Sequence, residues 1–178
     1  MKIDIVIPGK PIAHQSVRSR ISFKKGSKAI TVRGEKYFRL KDLWIHHYQK
    51  KEIVKMVDDL RFVVRSQLPS GFKIFEREVY INKLKYVFPP ITSLNAEQMK
   101  FLEAENNGSS AEVLKFRFGF TRIYKYTKPD LQDNLNKALF DAMQGVVFKH
   151  DSQVCRINNL IKCYGKMPRT EISIEGEI

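Results

Sequence analysis

Residues 128–154 read KPDLQDNLNKALFDAMQGVVFKHDSQV, and they predict a helix, a tight turn and the start of a strand. Pro129-Asp130 is typical of a helix N-terminus, with Asp130 as a candidate cap, and Gln144-Gly145 is typical of a helix end. At about 100° per residue the apolar side chains share one face. These are Leu131, Leu135, Ala138, Leu139, Ala142 and Met143. The helix is therefore expected to pack against a sheet through that face.

The same stretch collects the acids Asp130, Asp133, Asp141 and Asp151 in a chain of net charge +13. Asp133, Lys137 and Asp141 fall opposite the apolar face. A charged face is ordinary on a surface helix, and Lys137 stands four residues after Asp133, a spacing that allows a simple ion pair. Carboxylates this close together repel each other unless they are solvated, paired with a lysine or bound to a common cation.

The aspartates could bind one cation together if the strand after the turn lies beside the start of the helix. Asp130, Asp133 and Asp151 would then converge, and three carboxylates suit a hard ion such as Mg²⁺. Such an ion lowers the pKa of a bound water and neutralises charge on a phosphodiester. Lys137 would steady the scissile phosphate or the leaving oxygen, and Asp141 would support the helix. This arrangement predicts phosphodiester hydrolysis.

The charge of the chain points to a polyanionic partner. There are 32 Lys and Arg against 19 Asp and Glu, and residues 1–41 hold eleven of these bases and only two of the acids. Nucleic acid is the common polyanion, although a generally basic surface is the alternative. A hairpin is predicted at residues 21–34, with a basic tip at Lys24, Lys25 and Lys28. These lysines, together with Arg18 and Arg20 just before the hairpin, are candidate DNA contacts.

The rest of the chain predicts a single domain over residues 1–178. Strands are expected at 2–7, 78–88, 113–126, 154–164 and 171–174, and a long helix at 43–68 that includes His46 and His47. Residues 89–112 predict a surface insertion, with a capping box from Asn95 to Gln98. No apolar run suggests a membrane span or a secretory signal, so we expect a cytoplasmic protein without a membrane partner.

The final predicted strand, 154–164, contains both cysteines. Cys155 and Cys163 are eight residues apart, too far to bridge within one strand, and are expected to be buried thiols. Period-two alternation places Arg156, Asn158 and Lys162 on the opposite side, toward DNA or the carboxylates.

Several motifs of this stretch together carry a family resemblance. They are Pro129-Asp130, Asp133-Asn134-Leu135-Asn136-Lys137, Phe140-Asp141-Ala142, Asp151-Ser152-Gln153-Val154 and Lys162, with a weaker likeness at Ile7-Pro8-Gly9-Lys10-Pro11. The sequence resembles the RusA family of Holliday junction resolvases, small metal-dependent endonucleases of bacteria and their prophages. The resemblance covers about a third of the chain well, and it implies a bacterial or phage origin.

The resemblance implies an α/β fold of the α+β type, in which a mixed sheet packs against helices. It further implies a homodimer with two acidic sites that nicks four-way DNA junctions symmetrically with Mg²⁺ or Mn²⁺. Asp133 and Asp151 match family metal carboxylates, Lys137 matches the catalytic lysine, and Asp141 also matches a family position. By resemblance, Lys162 is expected to contact DNA.

Two departures from the family pattern are visible. The family usually reads Pro-Asp-x-Asp-Asn, whereas Leu131 and Gln132 both separate Asp130 from Asp133 here. We expect the first helical turn to absorb the additional residue. His150 stands where the family commonly has a second acid. The alternatives are a basic nucleic-acid-binding protein of the same fold that has lost catalysis, and a metal-dependent nuclease for other branched or simple DNA.

Overall fold

A mixed β-sheet organises the fold in the computed structural model, which describes residues 1–13, 18–23, 28, 30–33, 35–37, 43–48 and 51–178. In that part of the chain the strands are β1 (Lys2–Pro8), β2 (Arg18–Phe23), β3 (Ile30–Val32), β4 (Glu35–Tyr37), β5 (Leu43–Tyr48), β6 (Val79–Phe88), β7 (Val154–Ile157), β8 (Leu160–Tyr164) and β9 (Arg169–Gly176). The α-helices are α1 (Lys51–Ser66), α2 (Ala96–Asn106), α3 (Ala111–Phe118) and α4 (Lys137–Met143). A π-helical turn, Leu131–Asn136, precedes α4, and a 3₁₀ turn, Asp151–Gln153, precedes β7.

β6 is the central strand of the sheet. β9 pairs antiparallel with β6 on one side and with β1 beyond it, while β7 and β8 pair parallel with successive parts of β6 on the other side. A parallel pair needs a long crossover, and residues 89–153 supply it with α2, α3 and α4. The mixed sheet with helices packed against it confirms the predicted α+β class.

The apolar face of the predicted helix packs as expected. Leu135, Ala138, Leu139, Ala142 and Met143 are all buried, and Leu131 is half-buried. They join the sheet residues in one core, which includes Phe75, Ile81, Leu84, Tyr86, Phe148 and Ile174. The packing holds α4 against the sheet, with α1 beside it.

The predicted helix 43–68 is wrong in its first part. Residues 43–48 form β5, which pairs antiparallel with β2, and α1 begins only at Lys51. The run Leu-Trp-Ile-His-His-Tyr is rich in aromatic and branched side chains that favour a strand. His46 and His47 therefore lie on a strand.

The predicted hairpin 21–34 is also wrong, because β2 pairs with β5 while β3 pairs with β4. Lys24 and Lys25, the predicted basic tip, lie outside the described residues. Arg18 and Arg20 lie on β2, but the structure describes only their backbone. Lys28 is exposed.

The predicted strand 113–126 is wrong in its first part, because residues 111–118 form α3; its last part does return to the sheet, where Tyr124 forms an isolated antiparallel bridge with Cys163. Ser110 caps α3 through its side chain, and Gly119 ends it at a φ of 76°, a conformation that glycine adopts without strain. The aromatic residues that suggested a strand pack instead at the contact between helices, where the ring of Phe101 lies 5.6 Å from that of Phe118 and 4.9 Å from that of Phe120.

The segment 89–112 contains the predicted capping box at Asn95 and Gln98, which starts α2. Phe101 and Leu102 of α2 are fully buried, so this helix also contributes to the core. Whether the segment is an insertion stays a prediction. No helix among the residues described is long and apolar enough to cross a membrane.

The strand predicted at 154–164 is interrupted. β7 ends at Ile157 and β8 begins at Leu160, because Asn159 between them adopts a φ of 47°, which is not a strand conformation. The backbone N–H of Asn158 still donates to the carbonyl of Ile81 on β6. The break ends the period-two alternation. Cys155 is exposed, which corrects the expectation of a buried thiol, whereas Cys163 is buried and burial raises the pKa of its thiol.

Candidate active site

The helix that carries the aspartates begins with a wide turn. The backbone N–H of Leu135 donates to the carbonyl of Asp130 at 3.2 Å, five residues earlier, and residues 131–136 form a π-helix. A π turn encloses one more residue than an α turn, and such turns are frequent at functional sites. The α-helical spacing assumed from the sequence therefore holds only from Lys137 onward. The wide turn gives room to the additional residue between Asp130 and Asp133.

Two residues of the sheet hold the ends of this π turn. Tyr86 on β6 donates its hydroxyl to Asn136 Oδ1 at 2.9 Å, and both side chains are buried. Lys162 on β8 donates its ammonium to the carbonyls of Thr127 at 2.8 Å and Pro129 at 2.7 Å. Tyr86 and Lys162 are opposite each other in the β6–β8 pairing, so the two anchors lie side by side.

Asp130 lies between these anchors with its carboxylate exposed. Its side chain does not cap the helix, and instead Asn134 Nδ2 donates to Asp130 Oδ2 at 3.2 Å. Burial lowers the pKa of Lys162 and the nearby Lys125 lowers it further, while Asp130 opposes that shift. An exposed carboxylate with a fixed orientation is suited to take a hard cation.

Of the other predicted residues of the helix, Lys137 and Asp133 lie at the π turn, whereas Asp141 lies at the far end of α4. Lys137 is the first residue of α4 and is exposed next to the π turn. The structure describes the backbone of Asp133 within that turn and nothing of its side chain. Asp141 lies near the end of α4, where its carbonyl accepts a hydrogen bond from Arg61 on α1 at 3.1 Å. It borders a cleft of about 560 Å³ between α1 and α4, apart from the π turn.

Asp151 starts the 3₁₀ turn before β7 and is exposed. Gln153 fixes this turn, because its side chain accepts from the N–H of His150 at 2.9 Å and donates to the carbonyls of Phe75 at 3.1 Å and Arg77 at 2.8 Å. Gln153 belongs to the Asp-x-Gln-Val string, yet its partners are remote in sequence. Its positioning role was therefore not predictable.

Asp130 and Asp151 lie at different levels of the sheet. Asp151 comes three residues before Val154, and Val154 pairs with Val79 at the start of β6. Asp130 directly follows Pro129, whose carbonyl is bound by Lys162, and Lys162 pairs with Tyr86 near the other end of β6. Val79 and Tyr86 are seven positions apart on β6, which corresponds to about 23 Å at about 3.3 Å per residue. Among the described side chains, which exclude Asp133, no three His, Cys, Asp or Glu lie close enough to hold a metal ion. The convergence of Asp130, Asp133 and Asp151 stays a prediction.

Lys162 binds the backbone next to the acidic turn, and its contact with DNA stays a prediction. Its ammonium binds two backbone carbonyls just before Asp130, so it supports the acidic turn. No sequence pattern connects Lys162 with Thr127, or Tyr86 with Asn136, because each pair meets only through the sheet. Their role in holding the π turn was therefore missed.

Comparison with known proteins agrees with the fold. The family model of endodeoxyribonuclease RusA matches residues 77–175, which is more than half of the chain. The matched region runs from β6 to β9 and includes the π turn, Lys137 and Asp151. A search of curated proteins found no match. The extent of the family match shows that this chain belongs to the endodeoxyribonuclease RusA family, a family of nucleases.

Proposed function

We propose that this protein is a Mg²⁺- or Mn²⁺-dependent endonuclease that resolves four-way DNA junctions by paired nicking, in recombination and repair. The observation that carries the proposal is the family match, because it spans Asp130, Asp133, Lys137 and Asp151 together. The anchored π turn supports it, since two sheet residues fix the segment from which Asp130 and Asp133 extend. The net charge of +13 suits a DNA substrate.

The donor set fits a hard divalent cation. Asp130 offers an exposed carboxylate oriented by Asn134, and carboxylate oxygens are preferred by Mg²⁺ and Mn²⁺. Asp130, Asp133 and Asp151 would hold the ion, which when bound supplies activation of water and neutralisation of phosphate charge. Lys137, exposed at the start of α4, would offset charge on the scissile phosphate or the leaving oxygen.

The separation of Asp130 and Asp151 bears on how the site is assembled. The levels of β6 from which the two segments start are about 23 Å apart along the strand, whereas two carboxylates that share an ion each lie within about 2.6 Å of it. We therefore propose that the site forms in a homodimer in which Asp151 of a second copy joins Asp130 and Asp133. A two-fold axis places the same contacts at both sites, which suits paired nicking of a symmetric junction.

The same separation favours one rival function. If Asp151 never meets the π turn, the chain is a basic nucleic-acid-binding protein that keeps the fold and lacks the reaction. A nuclease for simple duplex or other branched DNA would share the catalytic residues and differ only in substrate. A cytoplasmic setting in a bacterium or its phage is part of the proposal.

The decisive experiment compares three DNA substrates of one sequence. A synthetic four-way junction, a linear duplex and a single strand are incubated with the purified protein in Mg²⁺, in Mn²⁺ and in EDTA. We expect paired nicks in the junction with either metal and no cleavage in EDTA. Junction binding without cleavage in any metal would leave the binding-protein rival, and equal cleavage of the duplex would remove the junction preference.

A further inference from the structure

A short segment, residues 122–126, lies beside the sheet and is followed by bends at residues 127–129, just before the π turn. It runs antiparallel beside β8, because Tyr164 N–H donates to the Ile123 carbonyl at 2.9 Å and Lys125 N–H donates to the Lys162 carbonyl at 2.9 Å. These bonds fix the backbone of the segment against the sheet. We call it the tyrosine segment.

The side chains of the tyrosine segment alternate between the protein and solvent. Ile123 is 7% exposed, and the ammonium of Lys125 lies over the rings of Phe88 and Tyr164 at 5.2 and 5.4 Å. Tyr124 is 61% exposed and Tyr126 is 94% exposed. Within the described part of the chain, neither tyrosine hydroxyl has a hydrogen-bond partner. Single exposed aromatic residues are common, but here two stand at alternate positions on one fixed strand.

The two tyrosines are close to the acidic turn. Thr127 and Pro129 both accept hydrogen bonds from the same Lys162 ammonium, so the chain folds tightly between Tyr126 and Asp130. Backbone dimensions then limit the distance between the Cα atoms of Tyr126 and Asp130 to roughly 14 Å. A substrate strand bound at Asp130 would therefore lie within reach of the tyrosines.

Spacing and charge indicate what these rings contact. Alternate residues of an extended strand are about 6.7 Å apart, close to twice the 3.4 Å step between stacked bases. One base therefore fits between two such rings. Arg122 and Lys128, both exposed, flank the pair with positive charge. Interface cores between proteins are depleted in lysine, whereas single-stranded nucleic acid is bound by stacking aromatic rings among cations.

We propose that Tyr124 and Tyr126 form a stacking platform for unpaired bases at the branch point of the DNA substrate. The inference rests on the proposed function, and it adds a means by which the protein would distinguish a DNA branch point from a duplex. In a duplex the base faces are covered by their neighbours, while at an opened branch point they are available to the rings.

The test measures binding in EDTA, so it does not depend on cleavage. A four-way junction carrying a fluorescent adenine analogue beside the branch point is titrated with wild type, with the Tyr124→Ala/Tyr126→Ala double variant and with the matching double Phe variant. A linear duplex of the same sequence and Phe116→Ala serve as controls, because Phe116 is 95% exposed on α3. All substituted side chains are exposed, and thermal unfolding checks that each variant folds.

We expect the double Ala variant to bind the junction at least about tenfold more weakly and to leave the fluorescence of the analogue unchanged. Duplex affinity should change less than about twofold, and the double Phe variant and Phe116→Ala should resemble wild type. Equal losses for the Ala and Phe variants, or for Phe116→Ala, would overturn the platform. So would a shift in oligomeric state by sedimentation velocity, because the rings would then cover a protein interface. Failure of the nuclease proposal appears separately, in the nicking assay.

Discussion

The hydroxyl of Tyr86, in the middle of the sheet, donates a hydrogen bond of 2.9 Å to Asn136 Oδ1 at the end of the π turn. Fifty residues separate the two in sequence, and both are buried. The bond connects the core of the sheet to the turn that presents Asp130 and Asp133. The conformation of the acidic turn is thereby coupled to the packing of β6.

Tyr86→Phe should destabilise the protein by about 1–3 kcal/mol, because it leaves a buried amide oxygen without its donor. Urea unfolding measures the loss. Tyr80→Phe is the matched control, since Tyr80 lies on the same strand and its hydroxyl has no partner among the residues described. Equal stability of Tyr86→Phe and wild type would show that water or a rearranged turn replaces the bond.

Alkaline pH should destabilise the protein through the same tyrosine. Burial raises the pKa of Tyr86 far above its usual value, so the folded protein keeps this proton while the unfolded chain releases it above about pH 10. The stability that Tyr86 contributes is complete below that pH. It is lost above it by up to about 1.4 kcal/mol per pH unit.

The remaining titratable groups are the same in wild type and in Tyr86→Phe, so their contributions cancel when the two proteins are compared. Urea midpoints for wild type and Tyr86→Phe between pH 9 and 11.5 should therefore converge as the pH rises. Parallel curves would contradict the assigned pKa shift.

Asp133→Asn and Asp151→Asn should each reduce junction nicking by at least about a hundredfold in Mg²⁺, because each removes a carboxylate proposed to hold the ion. Junction affinity in EDTA should stay within about threefold of wild type. Asp141→Asn is the control within the same helix and should retain most of the nicking. Full cleavage by both site variants would remove the proposed site.

A heterodimer of these two variants should recover activity if Asp151 acts in the partner's site. Asp133→Asn and Asp151→Asn chains are co-expressed with different affinity tags and purified through both. In that dimer both substitutions fall in one site and the other site is intact, so about half the wild-type nicking rate is expected, as single nicks. An inactive heterodimer would show that Asp133 and Asp151 of one chain work together.

Lys162→Met should lower kcat of nicking while KM for the junction changes by less than about threefold. The reason is that the Lys162 ammonium binds the carbonyls of Thr127 and Pro129. A lysine that contacts DNA phosphate would instead raise KM and reduce the salt dependence of binding by about one unit of slope. Lys166→Met is the control, because Lys166 pairs with Glu103 away from the π turn.

The sequence by itself determined the helix that carries the aspartates, its buried face and the acids that match the family. Leu135, Leu139 and Met143 recur at helical spacing, and burial of such a face is a local consequence of that pattern. The capping box at Asn95 and Gln98 was predictable for the same reason, since both partners lie within one turn.

The tertiary structure alone decided the shape of the acidic turn and the residues that hold it. Tyr86 and Lys162 reach the turn from neighbouring strands, and Gln153 binds carbonyls more than seventy residues away. Strand pairing likewise placed β2 with β5, and packing against Phe101 buried part of the aromatic run that suggested a strand. Local patterns describe neighbours in the chain, whereas these contacts depend on sheet register and packing, which bring distant residues together.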